Sequence, residues 1–252
     1  MEWKNKTVII TGGNKGIGAA VVSLFLEAGA RVAILDRDAE SGFETIDSLF
    51  YSVCDVSVES EVEQAMDAVY ARFGSIDILV NNAGIQRYGT VTETSAALWD
   101  EVMSVNLRSY FLCCHYALPY MMKNGSGIII NVSSVQAFHS QPKVAAYTTA
   151  KTALLGLTRS IAVDYAPAIR CIAICPGTID TPMLRDAILE SPVPDAVMKE
   201  CEEMHLLQRV GKPEEVAELI RFVCDDKAAF MTGQAIRIDG GLGIVIQGSK
   251  ND

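Results

Sequence analysis

Six short runs of apolar, β-prone residues recur along this chain, each separated from the next by a longer stretch with helical spacing. They lie at 7–11 (TVIIT), 31–35 (RVAIL), 76–80, 128–132, 170–175 and 235–238. Their side chains are apolar at successive positions, so both faces of each strand must be buried. The helical segments fall at 17–28, 59–73, 99–122, 150–166 and 213–224. Strand-helix alternation of this kind predicts an α/β architecture, a doubly wound parallel sheet with helices on both faces. No Pro/Ser/Gly tract, charge block or internal repeat marks a linker, so residues 1–252 read as a single domain.

In such sheets ligands bind beyond the carboxyl ends of the strands, where the strand order reverses. The residues that follow each strand therefore carry the functional signal. The first strand runs into Gly12-Gly13-Asn14-Lys15-Gly16-Ile17-Gly18, directly before an amphipathic helix. Glycines let the chain turn sharply there and approach a diphosphate, which the helix N-terminus then attracts. The second strand ends at Asp36, whose carboxylate can accept hydrogen bonds from both hydroxyls of an adenosine ribose and repels a 2′-phosphate. Lys15 and Arg37 are cations where that phosphate would sit. A direct acceptor bond outweighs two flexible exposed cations, which predicts NAD with weaker use of NADP.

Composition excludes other classes. A formal net charge of −10 opposes a nucleic-acid surface, which needs a basic stripe. No apolar run reaches the roughly 18 residues of a membrane span, and the first six residues lack the pattern of a signal peptide. Seven scattered cysteines have no metal-ligand spacing, so no metal is expected, and they suit a reducing cytoplasm.

Taken together, the motifs resemble those of the short-chain dehydrogenase/reductase family along nearly the whole chain. TGGNKGIG is similar to the family's TGxxxGxG, and Asn81-Asn82-Ala83-Gly84 to its NNAG. Cys54-Asp55-Val56 resembles its adenine-contacting segment. Tyr147 and Lys151 match YxxxK, with Ser134 thirteen residues before the tyrosine. Pro176-Gly177-Thr178-Ile179-Asp180-Thr181 fits a segment near nicotinamide. The resemblance implies a Rossmann-like fold and cofactor contacts from Gly12, Asn14, Lys15, Gly16, Ile17, Gly18 and Asp36. It adds Asp55, Val56, Asn81, Ala83 and Gly84, then Tyr147, Lys151, Pro176, Gly177, Ile179 and Thr181.

The catalytic set implied is Asn106, Ser134, Tyr147 and Lys151. Tyr147 and Lys151 are four apart and share a helix face. A free tyrosine titrates at about 10, and a nearby ammonium with oxidised nicotinamide is expected to lower that value toward neutrality. Lys151 can also hold the nicotinamide ribose. Ser134, just past the strand at 128–132, can bond the reacting oxygen. Asn106 is either a support for a proton relay through Lys151 or ordinary polar packing within its helix.

Substrate contacts are expected from Gln86, Ser134, Gln136, Tyr147 and Met183, with Arg87, His139 and Gln141 nearby. Amides there can bond several hydroxyls or a carboxylate. The stretches around Gln86 and Gln136 resemble members that oxidise sugars, polyols or sugar acids. The alternatives are a 3-hydroxybutyrate-type dehydrogenase, a 3-oxoacyl thioester reductase, and a nucleotide sensor without turnover. Val144 stands where the hydroxybutyrate enzymes carry lysine, and Ile172 where the family usually has asparagine. Residues 178–208 read as a mobile lid. The resemblance also implies a homotetramer, paired through the helices at 99–122 and 150–166. The apolar run at 244–246 either packs on a neighbouring subunit or closes the core, and 248–252 reads as loose.

Overall fold

Seven strands, all parallel, form one sheet in the computed structural model, which describes residues 3–44 and 46–244. They are β1 (Thr7–Thr11), β2 (Arg31–Asp36), β3 (Leu49–Val53), β4 (Ile78–Asn81), β5 (Gly127–Val132), β6 (Ile169–Pro176) and β7 (Ala235–Ile238). The spatial order is β3-β2-β1-β4-β5-β6-β7, so the connection sense reverses between β1 and β4. Six strands stand where the apolar runs lie, and β3 is an addition. It pairs with β2 alone at the sheet edge, and only Leu49 of its five residues is buried. An edge strand needs no continuous apolar run, so hydropathy does not reveal it.

The helices are α1 (Gly16–Glu27), α2 (Glu59–Phe73), α3 (Ala96–Met103), α4 (Ser109–Lys123), α5 (Ala145–Tyr165), α6 (Pro182–Leu189), α7 (Pro194–Glu203) and α8 (Pro213–Cys224). Strand alternation splits the core in two. Val8 and Ile10 of β1 point to the face covered by α1 and α8, where Val22, Phe25, Val216 and Ile220 are buried. Ile9 points to the other face, against Val62, Met66, Leu112 and Ile161 of α2, α4 and α5. Burying each such side chain contributes about 1.5–3 kcal/mol, which holds the sheet rigid beneath its carboxyl edge. Ile172 is fully buried in the first of these cores, so the departure from asparagine there is a packing choice away from the strand end.

Two predicted helices need correction, and one segment gains detail. The segment at 99–122 is not one α-helix, because a π-turn at Ser104–Arg108 joins α3 to α4. The helix expected at 150–166 begins at Ala145, which brings Tyr147 inside it. Residues 178–208, the segment expected to be a lid, contain the two helices α6 and α7. Pro182 and Pro194 each occupy a first helical turn, where the missing N–H costs nothing. Of the run at 244–246, Ile244 is exposed, and 245–252 lie outside the described residues.

Candidate active site

The switch point is built by locking the ends of β1 and β4 together. Asn82 Nδ2 donates to the carbonyls of Thr11 and Gly12, both at 3.0 Å. Thr11 Oγ1 accepts from the backbone N–H groups of Asn82 and Ala83 at 2.9 and 3.0 Å. Gly16 adopts a φ of +55°, a left-handed conformation that favours glycine. Gly18 lies so near the Gly12 carbonyl that any Cβ there would overlap it. The turn delivers α1 with Lys15 as its N-cap, no side-chain cap and no acidic residue in the first turn. Its N-terminal N–H groups and positive dipole end suit a diphosphate. Thr181 stands across from Gly16, and its hydroxyl caps α6 by accepting from the Leu184 N–H at 3.4 Å.

At the end of β2 the Asp36 carboxylate accepts from the backbone N–H of Asn14 and of Asp38, each at 3.1 Å. Asp38 in turn pairs with Lys15, Nζ to Oδ2 at 2.8 Å. The lysine that sequence offers to a 2′-phosphate is therefore already matched to a carboxylate. Asp55, beyond β3, keeps its place at the same edge, and its Oδ1 accepts from the Ser57 N–H and hydroxyl.

Several expected cofactor side chains are committed elsewhere. The Asn14 amide pins the following loop, donating to the Glu40 carbonyl and accepting from Gly42 N–H. Asn81 is fully buried and donates to Asn131 Oδ1 at 3.0 Å, because β4 alternation turns it into the core while Asn82 reaches the glycine turn. Val56 and Ile179 also pack into the core. Ile17 packs against it partly buried. These side chains shape the cradle from behind, and only backbone or partial surface is left to face a ligand.

The chemistry-bearing groups meet beyond β5. Ser134 caps the short turn Val135–Ala137, accepting from the Gln136 N–H at 3.1 Å. Its hydroxyl faces the Tyr147 phenol and favours the ionised form there. Ser133 Oγ donates to the Lys151 carbonyl at 2.8 Å, tying α5 to the strand end. Lys151 is buried, with Nζ 5.7 Å from the Tyr147 ring centre. That ammonium donates to the Val132 carbonyl at 2.9 Å and to the Tyr110 hydroxyl at 3.2 Å. Asn106, in the π-turn, closes a two-bond clamp on Ile85. Its Oδ1 accepts from the Ile85 N–H at 2.8 Å and its Nδ2 donates to the Ile85 carbonyl at 2.7 Å. A Cβ on Gly84 would meet Asn106 Oδ1 at 2.9 Å and Lys151 Nζ at 3.6 Å, so this glycine keeps the gap between them open.

The expected drop in the Tyr147 pKa is not found in the chain alone. Burial pushes the phenol up to about 12, against the opposing effect of the Ser134 hydroxyl. Burial also brings Lys151 down to about 7. Desolvation penalises phenolate and ammonium alike, and it is the largest cause at both groups. A lysine that binds its proton less readily when folded leaves the unfolded chain with more protons between pH 7 and its ordinary value. Stability then rises with pH across that window. Lys151→Met removes this slope. Urea unfolding of both proteins at pH 6, 8 and 10 should show the wild type gaining on the variant as pH rises, and a constant difference would contradict the assignment.

On the substrate side, Gln136 Nε2 donates to Gln141 Oε1 at 3.1 Å, and Thr148 Oγ1 donates to Gln136 Oε1 at 3.4 Å. Met183 is 41% exposed on α6. Gln86 is half-buried after the NNAG turn. Arg87 is turned onto Glu101 of α3, at 2.8 Å, and His139 is held by the Gly243 carbonyl at 3.0 Å. His115 lies tilted against Phe111 and edge-on to Tyr116 on α4. Sequence reasoning missed Tyr88 and Tyr110. Tyr88 acts electrostatically on Tyr147, and is itself raised by burial and then by Cys201 and Glu190. Tyr110 was legible only as the residue four beyond Asn106, on the same helix face.

A glycine turn before α1, the Asp36 carboxylate at the end of β2 and a Ser-Tyr-Lys cluster beyond β5 thus lie along one sheet edge. The family model described as "Enoyl-(Acyl carrier protein) reductase" matches residues 12–243. The chain is 42% identical to an uncharacterised oxidoreductase of Thermotoga maritima, with 96% of this chain and 98% of the relative covered. It is 38% identical to 2-(R)-hydroxypropyl-CoM dehydrogenase of Xanthobacter autotrophicus, covering 94% and 98%. The ligand-free aldohexose dehydrogenase of Thermoplasma acidophilum superposes with a TM-score of 0.93 at 39% identity, covering 99% and 98%. The chain belongs to the short-chain dehydrogenase/reductase family of oxidoreductases.

Proposed function

We propose that this protein is an NAD-dependent dehydrogenase that oxidises a secondary alcohol in a small polar substrate, of the sugar, polyol or sugar-acid class. The observation that carries this reading is the meeting of Ser134, Tyr147 and Lys151 beside the switch point, with an uncapped α1 and Asp36 at the same edge. Bound NAD supplies the hydride acceptor. As phenolate, Tyr147 takes the hydroxyl proton, while Ser134 donates to the same oxygen and the Lys151 charge steadies the phenolate. Asn106 keeps the NNAG loop in register through Ile85. Nothing in this set requires a metal.

A neutral polar substrate is favoured by the surroundings. Gln136, Gln141 and Thr148 offer hydroxyl partners, while Arg87, just after the NNAG turn, is paired with Glu101. Similarity to an aldohexose dehydrogenase points the same way. A hydroxy-acid would want a cation at Val144, which is buried and apolar. A 3-oxoacyl thioester on an acidic carrier would want a basic surface, which a chain of net charge −10 does not offer. An intact Ser-Tyr-Lys set speaks against a sensor without turnover.

Asp36 and the Lys15–Asp38 pair favour NAD over NADP. The expected kcat/KM ratio is at least about tenfold in favour of NAD. Asp36→Ala combined with Asp38→Ser, which releases Lys15, should move the ratio toward NADP by about 100-fold. Wild-type preference for NADP would overturn this assignment.

The reading includes a cytoplasmic homotetramer. All seven cysteines are unpaired, and no helix among the described residues is long and apolar enough to cross a membrane. Phe111 on α4 and Val163 on α5 are 50% and 79% exposed, which suits two-fold pairing through these helices. Sedimentation equilibrium should give four chains per particle, and an active monomer would contradict it.

A further inference from the structure

The Lys151 side chain, projecting from α5, is held by α4 as well as by the end of β5. Its Nζ donates to Val132 O at 2.9 Å and to Tyr110 Oη at 3.2 Å. The same Val132 carbonyl accepts the Tyr110 hydroxyl proton at 2.9 Å. That proton being spent, the Tyr110 oxygen can face Nζ only as an acceptor. Tyr110 is 1% exposed, so no bulk water competes for this triangle. An ammonium has three N–H bonds, and two of them are fixed by acceptors at the base of the site. The third direction is the one left for proton exchange with the reacting groups.

We propose that Tyr110 is a positioning residue for the dehydrogenase reaction, an acceptor that fixes the Lys151 ammonium and through it favours ionisation of Tyr147. This rests on the reading of Tyr147 and Lys151 as the acid/base pair. The titratable groups that face Lys151 are Tyr110 from α4, Tyr147 from α5 and Cys175 from β6. Among these, Tyr110 alone is hydrogen-bonded to Nζ. A purely structural role would need only the aromatic ring, which phenylalanine keeps. The acceptor role needs the oxygen.

Tyr110→Phe separates the two. The first readout is independent of turnover: the Lys151 side chain, labelled with carbon-13 at Cε and assigned by its absence in Lys151→Met, is titrated by NMR in the protein without cofactor. The Phe variant should lower the midpoint by about one pH unit, because the charged amine loses an acceptor in a buried site. The second readout is the pH profile of kcat with NAD. The acid limb should move to higher pH and kcat at pH 7 should fall about tenfold, with KM for NAD within about twofold. Should the Phe variant fail to fold, Tyr110→Leu carries the same test. An unmoved Lys151 midpoint overturns the proposal whatever happens to turnover. A moved midpoint with an unmoved pH profile overturns the link to Tyr147. Absence of turnover in the wild type would remove the dehydrogenase reading while the titration still decides the role of Tyr110 toward Lys151.

Discussion

Tyr147→Phe is expected to lower kcat for alcohol oxidation about 1,000-fold while leaving NAD affinity within about twofold. The phenol is the only group in the cluster that can both take and return a proton at the reacting oxygen. Ser134 has a much weaker base in its hydroxyl, and Lys151 is tied to Val132 and Tyr110. The variant should fold, since Ser134 keeps its bond from Gln136 N–H and the ring keeps its packing. Single-turnover rates with saturating NAD separate the loss of chemistry from any loss of binding. Activity retained to within tenfold would end the acid/base assignment. The cost of burying this phenol, seen in its rise to about 12, is borne in the resting chain. Cationic nicotinamide is the partner expected to offset it, which ties proton transfer to an oxidised cofactor.

Gly18→Ala is expected to weaken NAD binding about thirtyfold or more. The new Cβ would fall on the Gly12 carbonyl and on Asn82 Nδ2, which lies 2.7 Å from its position. Backbone carbonyls cannot swing aside as side-chain tips do, so the turn must open and carry α1 with it. Overpacking of this kind costs about 1–3 kcal/mol, and here it falls on the surface that receives the diphosphate. Gly156→Ala is the control. No atom lies within 4 Å of a Cβ there, and the helix interior gains from alanine. Calorimetric titration with NAD should separate the two variants, and equal affinities would show that the turn does not hold the dinucleotide.

Much of this was legible in the sequence because the fold is written in apolar runs. The central strands are buried on both faces and leave no alternation to misread. Gly12 and Asp36 follow from their places at strand ends, and Tyr147 from its spacing to Lys151 in a resemblance to YxxxK. What was not legible depended on direction rather than identity. Asn81 and Asn82 are adjacent amides, and only the register of β4 decides which enters the core. Asn14 could face a cofactor or the loop at Gly42, and the loop has it. The edge strand β3 carries too little apolar surface to announce itself. Within the segment expected to be a lid, nothing announced that Pro182 and Pro194 start helices. Tyr110 was hidden for another reason. Its role comes from a π-turn and a shared carbonyl, neither of which has a sequence signature.

The most direct test is NADH absorbance at 340 nm with purified protein and NAD against aldoses, polyols, sugar acids, 3-hydroxybutyrate and steroid alcohols. Saturable NADH formation with a sugar-class alcohol, lost in Tyr147→Phe, is the predicted result. Tight NAD binding with no reduction of NAD or NADP across the panel would contradict a sugar-class dehydrogenase.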